Sequence, residues 1–254
     1  MRGISKPWPP TDVYPDDQAP GSLRKAESEY LTRLRGARDQ VSFARSAFDG
    51  LAKQKLRVVM YREQRSLCIY CERRIAEGHP APRIDHWYPL SHDPARALQW
   101  RNLYLYLSCP KPETCDSAKA DHPFRWDADS HMPWPVDFRY EEVVGFTSDA
   151  RIYVRADVTL ADTIRRALEL TIADRTDGDQ RRPGILNLNH QALVKARMAA
   201  VRGERKRLER EFENRTATRN DRDHRASELL NRRPLPEFVS IRVSWLRGGL
   251  RRGR

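Results

Sequence analysis

From Ser22 to Arg65, apolar side chains recur near the helical period, at Tyr30, Leu31, Leu34, Val41, Phe43, Ala44, Phe48, Leu51 and Leu56. A stripe of this kind predicts helix, divided in two at Gly50. From Leu67 to about Trp126 the pattern shortens. "RIDHWYPLS" predicts a short strand ending at Asp85-His86, and "WRNLYLYLSC" predicts a second strand following Asn102. "CDSAKADH" predicts a short helix carrying Asp116, Lys119, Asp121 and His122. "HMPWPVDF" then reads as a connector. "YEEVVGFTSDARIYVR" places β-branched residues on both sides of a Ser-Asp turn, which predicts a hairpin. Leu160, Ile164, Leu168 and Ile172 recur every four residues and predict another helix. A further helix is expected from about His190 to Phe212, capped by Asn187 or Asn189. "NRRPLPEF" breaks that pattern, and the closing "VSIRVSWLRGGLRRGR" takes no assignment.

Composition narrows the class. The 254 residues are 39% apolar and 32% charged, enough for a modest core under a heavily ionised surface. No apolar run approaches the roughly 18 residues of a membrane span. The opening "MRGISKPWPPTDVYPDDQAPGS" has no apolar core of a signal peptide, so a cytoplasmic location in a microbe is expected. The net charge is +12, and Lys195 to Arg254 holds 18 Lys/Arg against 8 Asp/Glu, a surplus of 10. A basic end of this kind suits a polyanionic partner, because each neutralised phosphate releases counterions. It also suits a plain solvated helix and tail: "RGERKRLERE" mixes signs at four-residue spacing.

The four cysteines fall in two pairs, Cys68-x2-Cys71 and Cys109-x5-Cys115. Two such pairs can close a tetrahedral four-thiolate zinc site, structural because no position is left for water. Unconnected thiols or two disulfides are the alternatives. The expected fold class is α+β, mainly helical, with a zinc-stapled ββα module inside a helical body. The chain divides into three regions: 1–66, a Pro-rich arm and helices; 67–126, the module; and 127–254, a hairpin plus helices with a basic tail.

Between the cysteine pairs lie the groups that suit metal-assisted phosphodiester hydrolysis. The His86 imidazole can take a proton from water. The adjacent Asp85 can hold Mg²⁺ or Mn²⁺, which polarises a phosphate. Asn102 can fix the loop that carries the histidine, and Lys119 can neutralise developing charge or serve structure. His79 and His92 read as loop residues and His190 as a helix start. Trp87, Tyr88, Trp100, Tyr104 and Tyr106 read as packing rather than base-stacking platforms.

In this ordered set the chain resembles the HNH (ββα-metal) endonuclease family. More narrowly, "CIYCERRI", "IDHWYPLS", "WRNLYLYLSC", "CDSAKAD" and "ILNLNH" look like the PtuB-like HNH proteins of Septu and retron-associated anti-phage systems, over roughly Cys68 to Arg197. The resemblance implies a nucleic-acid substrate and a PtuA-like ATPase partner, with a retron reverse transcriptase and its RNA/DNA as a further one; it implies no membrane. By position, His86 matches the general base, Asp85 its neighbouring metal ligand and Asn102 the orienting asparagine. Asp116 stands where the family has His or Asn, with His122 the rival second ligand, and Lys119 matches the family's lysine. Two alternatives stay open: a zinc-stapled binding module whose nuclease centre has decayed, and a stand-alone restriction-type HNH enzyme.

Overall fold

The computed structural model describes residues 21–76, 82–100, 103–106, 113–120, 122–124, 132–133, 138, 140–155, 161–171, 185–213 and 215–252. The N-terminal stretch forms three helices rather than two: α1 (Gly21–Leu34), α2 (Gln40–Asp49) and α3 (Lys53–Glu63). Gly50 ends α2 as expected, but an additional break falls after Leu34. Asp39 makes it, its carboxylate accepting from the Ser42 amide at 3.0 Å and the Ser42 hydroxyl at 2.7 Å to start α2. Leu23, Tyr30 and Leu34 of α1 and Leu56, Val59, Met60 and Tyr61 of α3 are buried.

Helix α3 braces the chain on its way into the first strand. Arg57 Nε donates to the Pro82 carbonyl at 2.8 Å, and the Tyr61 hydroxyl donates to the Ala76 carbonyl at 2.6 Å. From α1, Tyr30 donates to the Pro94 carbonyl. The two strands β1 (Arg83–His86) and β2 (Leu103–Tyr106) pair antiparallel, with His86 opposite Leu103. A single helical turn, α4 (Asp116–Lys119), comes next in the described chain. Strand, strand and turn thus occur in the expected order.

The predicted hairpin forms with a helical turn ahead of it. α5 (Tyr140–Val143) leads into β3 (Val144–Thr147), which pairs antiparallel with β4 (Ile152–Val154). At Gly145 the end of the Tyr153 ring lies where a Cβ would be, so a side chain at this strand position would have to displace that ring. Helix α6 (Ala161–Leu168) packs on β4. Helix α7 (Gln191–Glu211) buries Leu193, Arg197, Ala200, Val201, Glu204 and Leu208 along one stripe. Its cap is His190, whose side chain accepts from the Ala192 amide; neither Asn187 nor Asn189 caps it. Those asparagines are used elsewhere. Asn189 accepts from the Ile152 amide at 2.7 Å and donates to the Ile152 carbonyl at 2.9 Å, acting as a further strand residue on the edge of β4.

The unassigned C-terminal segment supplies real elements. After α8 (Arg219–Asn231), opened by a Thr218/Asp221 capping box, come α9 (Val239–Leu246) and β5 (Leu250–Arg251). Strand β5 adds parallel to β3, giving the order β4-β3-β5. Glu204 accepts from Arg225 at 2.7 Å and Arg242 at 3.0 Å, tying α7, α8 and α9 together. The fold is α+β and mainly helical, and one buried cluster draws on residues from Leu23 to Ile241. Among the described residues, no helix is long and apolar enough to cross a membrane.

Candidate functional site

The Cys68–Cys71 turn is a tight knuckle. The Cys68 amide donates to the Arg73 carbonyl at 2.8 Å, the Glu72 amide donates to the Cys68 carbonyl at 3.1 Å, and Leu67 bridges Arg74. Glu72 sits at φ 60 and turns the chain back. Its carboxylate holds the start of α9, accepting from the Ser240 amide at 3.0 Å and from the Ser240 hydroxyl, while the Phe238 amide donates to its carbonyl at 3.0 Å. The Arg74 backbone amide donates to the Glu237 carboxylate at 2.8 Å. The knuckle is therefore fixed by a helix more than 160 residues further along the chain.

Cys115 arrives from another direction. Its amide donates to the Leu186 carbonyl at 2.8 Å, Asn187 donates to the Glu113 carbonyl, and His190 lies 3.0 Å from the Glu113 carboxylate. The "ILNLNH" segment thus seats the loop that carries Cys115. The result is a buried trio, Cys68, Cys71 and Cys115, with ligand sulfurs all within 4.8 Å of one another. None of the three forms a disulfide. Four sulfurs tetrahedral about zinc at about 2.3 Å stand about 3.8 Å apart, so the trio needs little contraction to hold such an ion. Soft, buried thiols suit zinc, and this group can bind it. Cys109, the fourth expected ligand, lies outside the described residues.

Tyr70 of the knuckle and Lys119 beyond Cys115 both reach Asp85. Tyr70, between Cys68 and Cys71 and fully buried, donates its hydroxyl to Asp85 Oδ2. Burial, then the Asp85 carboxylate, push that hydroxyl well above its ordinary pKa, so it stays a donor. Lys119, four residues past Cys115 and 1% exposed, donates to the same Oδ2 at 2.9 Å and to the His86 carbonyl. Among the described residues Asp85 Oδ1 takes no hydrogen bond. Lys119 thus clamps the end of β1. Removing one partner of a buried ion pair strands the other charge, at a cost of roughly 3–5 kcal/mol. Lys119→Met is therefore expected to lower Tm by at least about 6 °C. Adding Asp85→Asn should restore part of the loss; thermal unfolding of the single and double variants checks both.

His86 is buried at the last position of β1. Its Nε2 lies 2.9 Å from the Ala97 carbonyl, an acceptor only, so Nε2 carries the proton and Nδ1 keeps its lone pair. The Phe48 ring meets it edge-on at 4.6 Å. Desolvation, the largest influence, pushes its pKa down to about 4, which leaves the ring neutral at pH 7. Asp116, first in α4 and half-buried, places its charge on both His86 and Tyr70. His122 is also half-buried, in the turn after α4, its amide donating to the Lys119 carbonyl at 3.1 Å. Asn102 lies outside the described residues, as do His79 and Asp121. Trp87 and Trp100 are core, as expected; Trp87 stacks near Tyr70 and Phe124. His92 is an exposed turn residue. Tyr70, Glu72 and the Ala97 carbonyl were not among the sequence candidates, although Tyr70 sits inside the C-x2-C motif itself.

No protein-family model matches this chain, and no curated protein matches it.

Proposed function

We propose that the chain is a metal-dependent HNH endonuclease that hydrolyses nucleic-acid phosphodiester bonds, acting as the nuclease effector of an ATPase-containing anti-phage complex of the Septu or retron type. The observation that carries this reading is the pairing of a buried neutral His86, with its Nδ1 lone pair unspent, to Asp85 on one strand end framed by the cysteine trio. A neutral imidazole held in one tautomer is what a general base needs. Asp85 Oδ1 and Asp116 are the carboxylates that would hold Mg²⁺ or Mn²⁺, which supplies charge stabilisation at the phosphate and its leaving oxygen. Asp116 is preferred over His122 because its charge bears on His86. Three thiolates and Cys109 would hold the structural zinc.

A second reading has its own observation. The Lys119 ammonium already neutralises Asp85 Oδ2, which disfavours a second cation there and favours a zinc-stapled binding module without hydrolysis. The ATPase partner follows from the resemblance alone, and the nucleic-acid substrate from the resemblance and the basic C-terminal charge. Exposed Lys195, Arg202, Arg205, Lys206, Arg207 and Arg210 on α7 are consistent with the latter. The test is purification with any native partner, then incubation with single- and double-stranded DNA and RNA in Mg²⁺, Mn²⁺ or EDTA. Cleavage in either cation and none in EDTA is expected. Salt-sensitive binding with no cleavage in any cation would transfer the assignment to the binding module.

A further inference from the structure

Helix α7 is sunk into the fold at its start and stands clear of it towards its end. Between Arg202 and Glu211 only Glu204 and Leu208 are buried, and the other eight residues are exposed. Among the described residues nothing comes within 4 Å of where a Cβ on Gly203 would sit, so the helix is open there. Six cations occupy the outer side: Lys195, Arg202, Arg205, Lys206, Arg207 and Arg210. The sequence offers two of them partners at four-residue spacing, Arg205 with Glu209 and Arg207 with Glu211, but basic-before-acidic is the weaker order on a helix. Neither ion pair forms, and among the described residues no carboxylate forms an ion pair with any of the six. Arg205 lies instead over the Trp245 ring of α9, 5.8 Å from its centre. The remaining acid of α7, Glu204, faces inward and is taken by Arg225 and Arg242. Cations nearby are used within the fold, Arg215 by Asp221 and Arg225 also by Glu228, so the outer side of α7 stands apart from them.

We propose that this outer side of α7 is a docking surface for the phosphates of double-stranded DNA. The proposal rests on the nucleic-acid part of the reading above and names where the duplex sits; it does not depend on hydrolysis. From Lys195 to Arg210 the helix rises about 22 Å. A duplex carries one charge per about 1.7 Å of its axis, so a face of that length meets more phosphates than it has cations. By the helical period Lys195, Arg202 and Lys206 form one row, with Arg205 and Arg207 on its two flanks. A helix about 10–12 Å across fits the roughly 12 Å major groove of B-DNA, where such flanks face the phosphates on either side. The deep, narrow major groove of duplex RNA does not admit it. Single strands are gripped by stacking bases on aromatic rings, and this side of α7 carries none; Trp245 is half-buried with Arg205 over it.

The full chain is titrated with a short DNA duplex of arbitrary sequence, without Mg²⁺ or Mn²⁺, over roughly 50–200 mM salt. Wild type is compared with Arg202→Gln/Lys206→Gln/Arg207→Gln, and with Arg35→Gln/Arg45→Gln/Lys55→Gln, which removes the same charge from exposed positions elsewhere. Glutamine matches arginine and lysine in helix propensity, so both variants should fold with wild-type Tm. The α7 variant is expected to flatten the slope of log K against log salt by about two to three, close to one per lost phosphate contact, while the other variant keeps the wild-type slope. Arg202→Lys/Arg207→Lys should keep the slope as well, because the charge is retained. An unchanged slope in the α7 variant overturns the surface, and so does an equal loss in both triple variants, which would report net charge alone. A loss as large with single-stranded DNA or with duplex RNA overturns the assignment to duplex DNA. A wild-type chain that binds no nucleic acid overturns this surface and the nucleic-acid reading together, whereas cleavage that persists in an α7 variant of unchanged slope removes the surface only.

Discussion

Cys68→Ser, or stripping the ion with a strong chelator, is expected to loosen both the knuckle and the strand end it serves. Structural zinc sites in small modules contribute roughly 10–16 kcal/mol of apparent binding energy. Whole domains are stable by only about 5–15 kcal/mol, so loss of the ion is large on that scale. The effect should be directional. Tyr70 sits within the knuckle and Lys119 comes just after Cys115, so Asp85 loses two donors when the sulfurs separate. Glu72 is the other exit, because its grip on Ser240 passes the disturbance to α9. Metal analysis should find one zinc per wild-type chain and none in Cys68→Ser. Hydrogen exchange should accelerate at residues 67–76, 83–86 and 239–246 before it does in α1 or α2. A Cys68→Ser protein with full zinc content and unchanged Tm removes the trio as a metal centre.

His86→Ala is expected to separate chemistry from framework. Loss of a general base typically costs 10²–10⁴-fold in rate. The imidazole is neutral where it is buried, so its removal strands no charge. The losses to stability are the hydrogen bond to Ala97 and the edge contact with Phe48, worth about 0.5–1.5 kcal/mol each. Zinc content should be unchanged and Tm only modestly lower, while cleavage of the preferred substrate falls by at least about 10²-fold. Cleavage that survives at wild-type rate in pure His86→Ala protein would remove His86 as the base.

Periodicity carried much of the helical architecture. The α7 stripe is legible because Leu193, Val201 and Leu208 recur over about four turns without interruption. The break between α1 and α2 was not legible by the same means: Leu34 and Val41 are seven residues apart, two helical turns, so the period runs straight through the break that Asp39 makes. The segment "VSIRVSWL" alternates apolar and polar residues as a strand would, yet it folds as α9 because its start is held by Glu72 and its buried side meets α7 and α8. At the site, residue types and spacing placed Asp85, His86, Cys68, Cys71 and Cys115 together. The same reasoning could not see that Tyr70 and Lys119 converge on one oxygen of Asp85, since that depends on side-chain directions 15 and 34 residues apart. Arg197 did leave a trace. It lies four residues after Leu193 and four before Val201, so the stripe itself assigned a charge to the buried face.

The Glu72 brace also bears on how the chain is made. The knuckle leaves the ribosome early, but the helix start that its carboxylate holds is encoded more than 160 residues later. At elongation speeds of about 5–20 residues per second, that interval is on the order of ten seconds or more. During it Glu72 has no Ser240 to hold, and Arg74 has no Glu237. A product terminated before residue 235 would have its first cysteine pair but not the support beneath it. Only a nascent chain read through to α9 can complete the knuckle's support.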